Sequence, residues 1–202
     1  MAKQKLGTMT QAQRDALKPT FMALNTWPNS WLEAAYRHMR SANILRDVYV
    51  KGEERKLQRL QRDIELNIRH DGPWTPEGEE LEDMLDADLI WDYCLFAGYA
   101  IECMLKGYCL ASKPELIVNQ EEMHKDITKH DLVKLSTMCA LPLTAEESQV
   151  LNFLTDQIVW GKYPGPKAVA GIPSSYPVPL PERVQAFFDR TYSELYDTSL
   201  DE

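Results

Sequence analysis

Between Arg69 and Lys106 the chain has no basic residue at all, and its 202 residues include only 9 glycines and 4 cysteines. The cysteines, Cys94, Cys103, Cys109 and Cys139, follow one another at intervals of 9, 6 and 30. That leaves no CxxC pair and no zinc-binding spacing, so reduced thiols in apolar surroundings are expected. The sequence lacks a P-loop, a GxGxxG turn, a nucleophile elbow and a paired-carboxylate arrangement, which removes the signatures of the commonest nucleotide-dependent and hydrolytic chemistries. The opening MAKQKLGTMTQAQRD carries Lys3 and Lys5 with no apolar run behind them. A secretory signal is therefore not expected, and the cytoplasm is the expected location.

What is present suits one domain with a proper core: 44% hydrophobic and 26% charged residues, both ordinary for a globular protein. The net charge of −9 is unevenly spread. Residues 1–70 carry a balance of +6 and residues 71–202 a balance of −15. Such asymmetry points to self-complementarity, or to one basic face meeting an anionic partner, while the overall acidity argues against indiscriminate nucleic-acid binding.

Helical periodicity dominates. After Pro28-Asn29-Ser30, the residues Leu32, Ala35, Met39, Ala42, Leu45 and Tyr49 recur on one face, with Asn29 or Ser30 as the expected N-cap. Gly52 is the expected break. Beyond it, Leu57, Leu60, Ile64 and Ile68 form a second stripe, and Lys51, Arg55, Arg59, Arg62 and Arg69 form a basic ridge. That ridge reads as a solvated face, as a partner for the acidic 77–92 segment, or as a phosphate contact. HDGPWTPEGEE is a turn-rich connector to a long apolar helix over about 81–112, and residues 114–127 read as a loop. A short helix follows with Asp131 in its first turn, then a helix opened by a Thr144/Glu147 capping box and stopped at Gly161. Residues 164–181 hold six prolines, too many for a helix or central strand. PERVQAFFDRTYSELYD makes a last helix. The fold class read from these helices is all-α, with a Pro-rich segment and a C-terminal helix.

The apolar helix contains two central charges, Glu102 and Lys106. Each would cost roughly 2.5–3.5 kcal/mol at the centre of a bilayer, so a buried core helix and no membrane partner are expected. The i,i+4 spacing with the carboxylate N-terminal favours an ion pair. That pair lies either at the edge of a solvated face or in a polar cluster shared with another helix or a ligand. His130 and Asp131 favour the cluster, since the loop after residue 113 brings them back toward it. His130 can equally be a histidine that satisfies backbone groups at a helix start. Histidines 38 and 70 read as surface residues, and the spacing of His124 and His130 suits no metal; no metal or cofactor is expected.

Ala100, Glu102, Leu105 and Lys106 in one helix, then a loop, then His130, Asp131, Leu132 and Leu135, together resemble the HEPN superfamily. Trp31-Leu32-x-x-Ala35 fits that family's opening helix, and Lys162-Tyr163-Pro164 looks like its R-Y-P segment. The resemblance covers about residues 25–165. It implies an antiparallel bundle of four to five core helices at 25–165, with an extension at 1–24 and residues 166–202 packing on the bundle or on a partner. It implies too a homodimer and a place in prokaryotic toxin–antitoxin or phage-defence systems, where a nucleotidyltransferase is one kind of cognate partner. It also implies that Glu102 and Lys106 belong to a polar seam. By residue chemistry Lys162 could meet a phosphate and Tyr163 stack on a base, although GKYPGP is also an ordinary helix stop with a packed tyrosine.

The family's metal-independent ribonucleases use Arg followed by four to six residues and His. In that reaction histidine moves a proton and arginine stabilises the charged phosphorane. Here no Arg–His pair has that spacing, and Arg62 to His70 leaves seven residues between. Lys125-x4-His130 keeps a cation at that interval but offers a point charge rather than a fork. The expected function is thus a non-catalytic module binding a nucleotide, RNA or a protein partner through Glu102, Lys106, His130, Asp131, Lys162 and Tyr163, with Arg55, Arg59 and Arg62 as a phosphate ridge. The alternatives are a ribonuclease with a degenerate site, His130 acting with Lys106, Lys125 or Lys162, and a helical subunit that only assembles.

Overall fold

The computed structural model of the protein describes residues 9–66, 78–160 and 178–197. Six α-helices make up most of them: α1 (Gln11–Thr26), α2 (Pro28–Glu65), α3 (Glu79–Ser112), α4 (Leu132–Met138), α5 (Ala145–Trp160) and α6 (Pro181–Leu195). The all-α bundle expected from periodicity is therefore what the chain forms. A two-stranded antiparallel hairpin, β1 (Ile117–Val118) and β2 (Glu122–Met123), interrupts the segment expected to be plain loop. Its turn places Asn119 and Gln120 at φ 52° and 60°.

α3 is the axle of the fold. It is apolar on nearly every side, which a helix tolerates only when it is enclosed. Tyr93, Cys94, Ala97, Ala100, Ile101, Met104 and Leu105 are all fully buried. By length and composition α3 could cross a bilayer, yet most of its apolar window is buried within this fold. Each large side chain so enclosed contributes about 1.5–3 kcal/mol.

α2 lies antiparallel along α3. Trp31 meets Gly107, Gly52 meets Asp86, and Arg55 meets Asp83, so positions rise along one helix as they fall along the other. Gly52 does not break α2, which runs unbroken through it. Its role is spacing: a β-carbon there would lie 2.6 Å from Asp86 Cβ and 3.1 Å from the Ala87 amide nitrogen. The N-cap of α2 is Trp27 with Pro28 in the first turn, two residues before Asn29 and three before Ser30; proline's fixed φ and absent N–H suit that position.

The expected N-terminal extension contains α1, opened by a capping box between Thr10 and Gln13. None of its residues is fully buried, though Phe21 and Met22 rest against the core. α6 packs on this chain rather than leaving it. Val184, Phe187, Phe188, Thr191 and Leu195 are buried, and Tyr93 and Tyr196 tie its two ends to α3. Tyr93 donates to Pro181 O at 3.0 Å and Tyr196 donates to Met104 O at 2.7 Å.

Candidate functional site

The site begins with the two charges of α3. Four residues of helix bring Glu102 and Lys106 to one face, and Lys106 Nζ bonds Glu102 Oε1. The side chains are only 7% and 11% exposed. The pair is therefore buried, and not the edge of a solvated face.

A third group completes it. After the hairpin, His124 N donates to Leu116 O at 2.7 Å, and the fully buried Ile127 pins the returning segment. His130 is thereby delivered to α3, with Nδ1 at 2.9 Å from Glu102 Oε1 and 3.1 Å from Oε2. The imidazole is 40% exposed, so the cluster opens to solvent through it. A carboxylate only accepts, so Nδ1 donates to Glu102 and Nε2 is the ring nitrogen on the far side. Glu102 is the hub, neutralising Lys106 and orienting His130.

α4 is fixed just behind the imidazole. Asp131 is its N-cap and accepts from Lys134 N at 2.9 Å, while Leu132 N donates to Thr155 Oγ1 of α5 at 3.1 Å. The Asp131 side chain thus holds the helix start, where a ligand contact was expected. α5 is itself set by the anticipated capping box: Thr144 N to Glu147 Oε2 at 2.8 Å and Glu147 N to Thr144 Oγ1 at 3.1 Å. Beside the site, Asp126 accepts from Lys134 Nζ at 2.5 Å and lies 4.0 Å from Lys129 Nζ. The Lys134 ammonium holds the Asp126 carboxyl below its usual range.

α2 contributes a flank that periodicity did not disclose. His38 is half-buried, its ring 5.6 Å from that of Tyr99 and 6.1 Å from that of Phe96. Burial lowers its pKa, the Arg37 charge adds to the shift, and Glu102 opposes it. Burial and then the Glu102 charge raise Tyr99. Cys103 is pushed up to about 11 by burial first and Glu102 second, against Lys106 and Arg37. The carboxylate of Glu102 is thus felt by His38, Tyr99 and Cys103, and the site spans α2, α3 and the start of α4. The antiparallel register of α2 on α3, set by Trp31 against Gly107 and Gly52 against Asp86, is the signal that could have placed His38 there.

Other expected residues lie elsewhere. Arg55 donates to Asp83 at 2.6 Å and to Asp86 at 2.5 Å, and Arg59 bonds the other oxygen of Asp83. The ridge is thus the partner of the acidic segment, and of the three arginines Arg62 is the most exposed, 3.9 Å from Asp63. Lys162, Tyr163 and His70 fall outside the described residues. Among the described residues no group of three His, Cys, Asp or Glu side chains is placed to hold a metal ion. Compared with protein-family models, curated proteins and solved structures, the chain matches none.

Proposed function

We propose that this chain is a HEPN-like helical module of a prokaryotic toxin–antitoxin or phage-defence system that binds a phosphate-bearing ligand, a nucleotide or RNA, at the site centred on Glu102. One observation carries the reading: a buried Glu102–Lys106 pair bonded to the half-exposed His130. A buried ion pair is seldom worth its desolvation as a stabiliser alone, so its exposed histidine is where a ligand gains. The surroundings favour an anion. Residues 124–134 carry Lys125, Lys129 and Lys134 against Asp126 and Asp131, and Arg37 stands on the opposite flank, in a chain whose net charge is −9. The half-buried rings of His38, Phe96 and Tyr99 offer faces on which a base stacks.

The test is calorimetric titration of the full chain with ATP and, separately, with a short single-stranded RNA, at two salt concentrations. Binding that weakens with salt and drops at least about tenfold in His130→Ala supports the reading. Binding of neither ligand, or equal binding by both proteins, removes it.

A second reading has one specific observation behind it. Glu102 holds Nδ1 and leaves Nε2 free to take a proton from a ribose 2′-hydroxyl, the geometry of a carboxylate–histidine dyad. Against it stands the missing Arg–His pair, which leaves Lys106, Lys125 or Lys162 to meet the phosphorane. Metal-free cleavage of total RNA that disappears in His130→Ala would put this reading first.

A further inference from the structure

Cys109 and Cys139 show none of the spacings by which a cysteine pair is recognised, yet the fold brings them together. Cys109 lies near the C-terminal end of α3, and Cys139 is the C-cap of α4. Their sulfurs are 2.9 Å apart, against roughly 2.0 Å in a formed disulfide. The remaining contacts of both thiols are to backbone carbonyls: Cys139 Sγ to Leu105 O at 3.3 Å and Cys109 Sγ to Leu135 O at 3.9 Å. No charged partner competes for either sulfur among these contacts.

We propose that Cys109 and Cys139 form an oxidisable dithiol, a modification site whose disulfide staples the end of α4 to the central helix. Thiol–disulfide exchange with a small disulfide such as oxidised glutathione supplies the chemistry. One thiolate attacks, forming a mixed disulfide and releasing one glutathione thiol. The neighbouring thiolate then displaces the second glutathione thiol and closes the protein disulfide. The two protein thiols lose two electrons and two protons, and glutathione disulfide is reduced to two thiols. The hydrogen bond between the two thiols lowers Cys109, which favours a thiolate there. The sulfurs are nearly enclosed, with residue exposures of 1% and 6%, so exchange needs the end of α4 to open and proceeds slowly. The other cysteines are differently placed. Cys94 is fully buried, and Cys103, the least buried of the four, is a thiol that burial and Glu102 keep protonated. This proposal does not depend on what the Glu102 site binds.

The experiment incubates the full chain with oxidised glutathione, quenches it with acid, and counts free thiols in denaturant beside a reduced control. Trypsin cutting after Lys106 separates Cys103 from Cys109, and cutting after Lys125 and Lys134 separates Cys109 from Cys139. The expected result is loss of two of the four thiols, a mass lower by about 2 Da, and a linked peptide pair containing Cys109 and Cys139. Hydrogen exchange of residues 132–138 is expected to slow on oxidation and to recover on reduction. Four free thiols after prolonged incubation, or a link or glutathione adduct confined to Cys103 or Cys94, overturns the proposal. Cys139→Ala is expected to lose the link; should that variant not fold, the peptide map of the unaltered chain decides alone.

Discussion

Glu102 Oε1 and His130 Nδ1 lie 2.9 Å apart although 28 positions separate them in the chain, and the same oxygen bonds Lys106. Removing Glu102 therefore does more than delete one hydrogen bond. In Glu102→Gln the amide cannot neutralise the ammonium, and Lys106 is left nearly buried without a counter-charge. A loss of about 3–5 kcal/mol is expected, as for other broken buried pairs. Glu102→Leu combined with Lys106→Met removes both charges and is expected to recover most of that loss. Urea unfolding of the three proteins checks it, and a double variant as unstable as Glu102→Gln would contradict a buried pair.

His38 gives the fold a pH dependence of known sign. Burial favours the neutral ring, so the folded chain holds this proton less tightly than the unfolded one. Arg37 pushes the same way and Glu102 opposes, without reversing the shift. Above the ordinary value of 6.5 both states are neutral and stability is full. Below it the unfolded chain takes up the proton first, and stability falls until the lowered folded value is passed. The carboxylates that are held low, Asp15, Asp126 and Glu147, act in a separate window, beneath ordinary values of 3.8 for the two aspartates and 4.5 for the glutamate. Thermal unfolding between pH 7 and pH 5 is therefore expected to show a decline that is smaller in His38→Gln. An equal decline in both proteins would place its source elsewhere.

The extent to which sequence alone revealed this molecule depended on the range of the interaction. The Thr144/Glu147 box and the last helix are local features, and both stand where they were expected. The approach of His130 to Glu102 was inferred from a loop length and two short patterns, and the geometry bears it out. Gly52 was misread because a glycine in a helix looks like a break until the neighbour is known; its reason is Asp86, on another helix. His38 was taken for a surface residue on the same ground, since its neighbours Phe96 and Tyr99 belong to α3. Likewise the arginine ridge could not be told from a phosphate site until Asp83 and Asp86 lay against it.

Gly52→Ala sets two effects against each other. Alanine is the better helix former by about 0.8–1 kcal/mol. The added methyl meets Asp86 Cβ at 2.6 Å and the Ala87 amide nitrogen at 3.1 Å, and the second of these is backbone, which yields little. Overpacking of this kind costs typically about 1–3 kcal/mol. A net loss of stability is expected on denaturant unfolding, and a stabilised Gly52→Ala would show that the two helices separate easily.

Asp83 decides how the basic ridge is read. Its side chain is buried and its two oxygens accept from Arg55 and Arg59, while Asp86 takes a second bond from Arg55. If those arginines serve the fold, Asp83→Asn should lower stability by about 1–3 kcal/mol, the cost of weakening a buried acceptor of charged donors. Arg62→Glu, at a site two-thirds exposed and only loosely paired, should stay within about 0.5 kcal/mol. Should RNA bind, replacing Arg55 and Arg59 together by Gln is expected to leave the slope of log affinity against log salt unchanged, because counter-ions are released from phosphates only where protein cations are free to meet them. A slope reduced by about 2 would mean that RNA draws both arginines away from Asp83. The acidic segment would then be the competitor that keeps the ridge closed until RNA arrives.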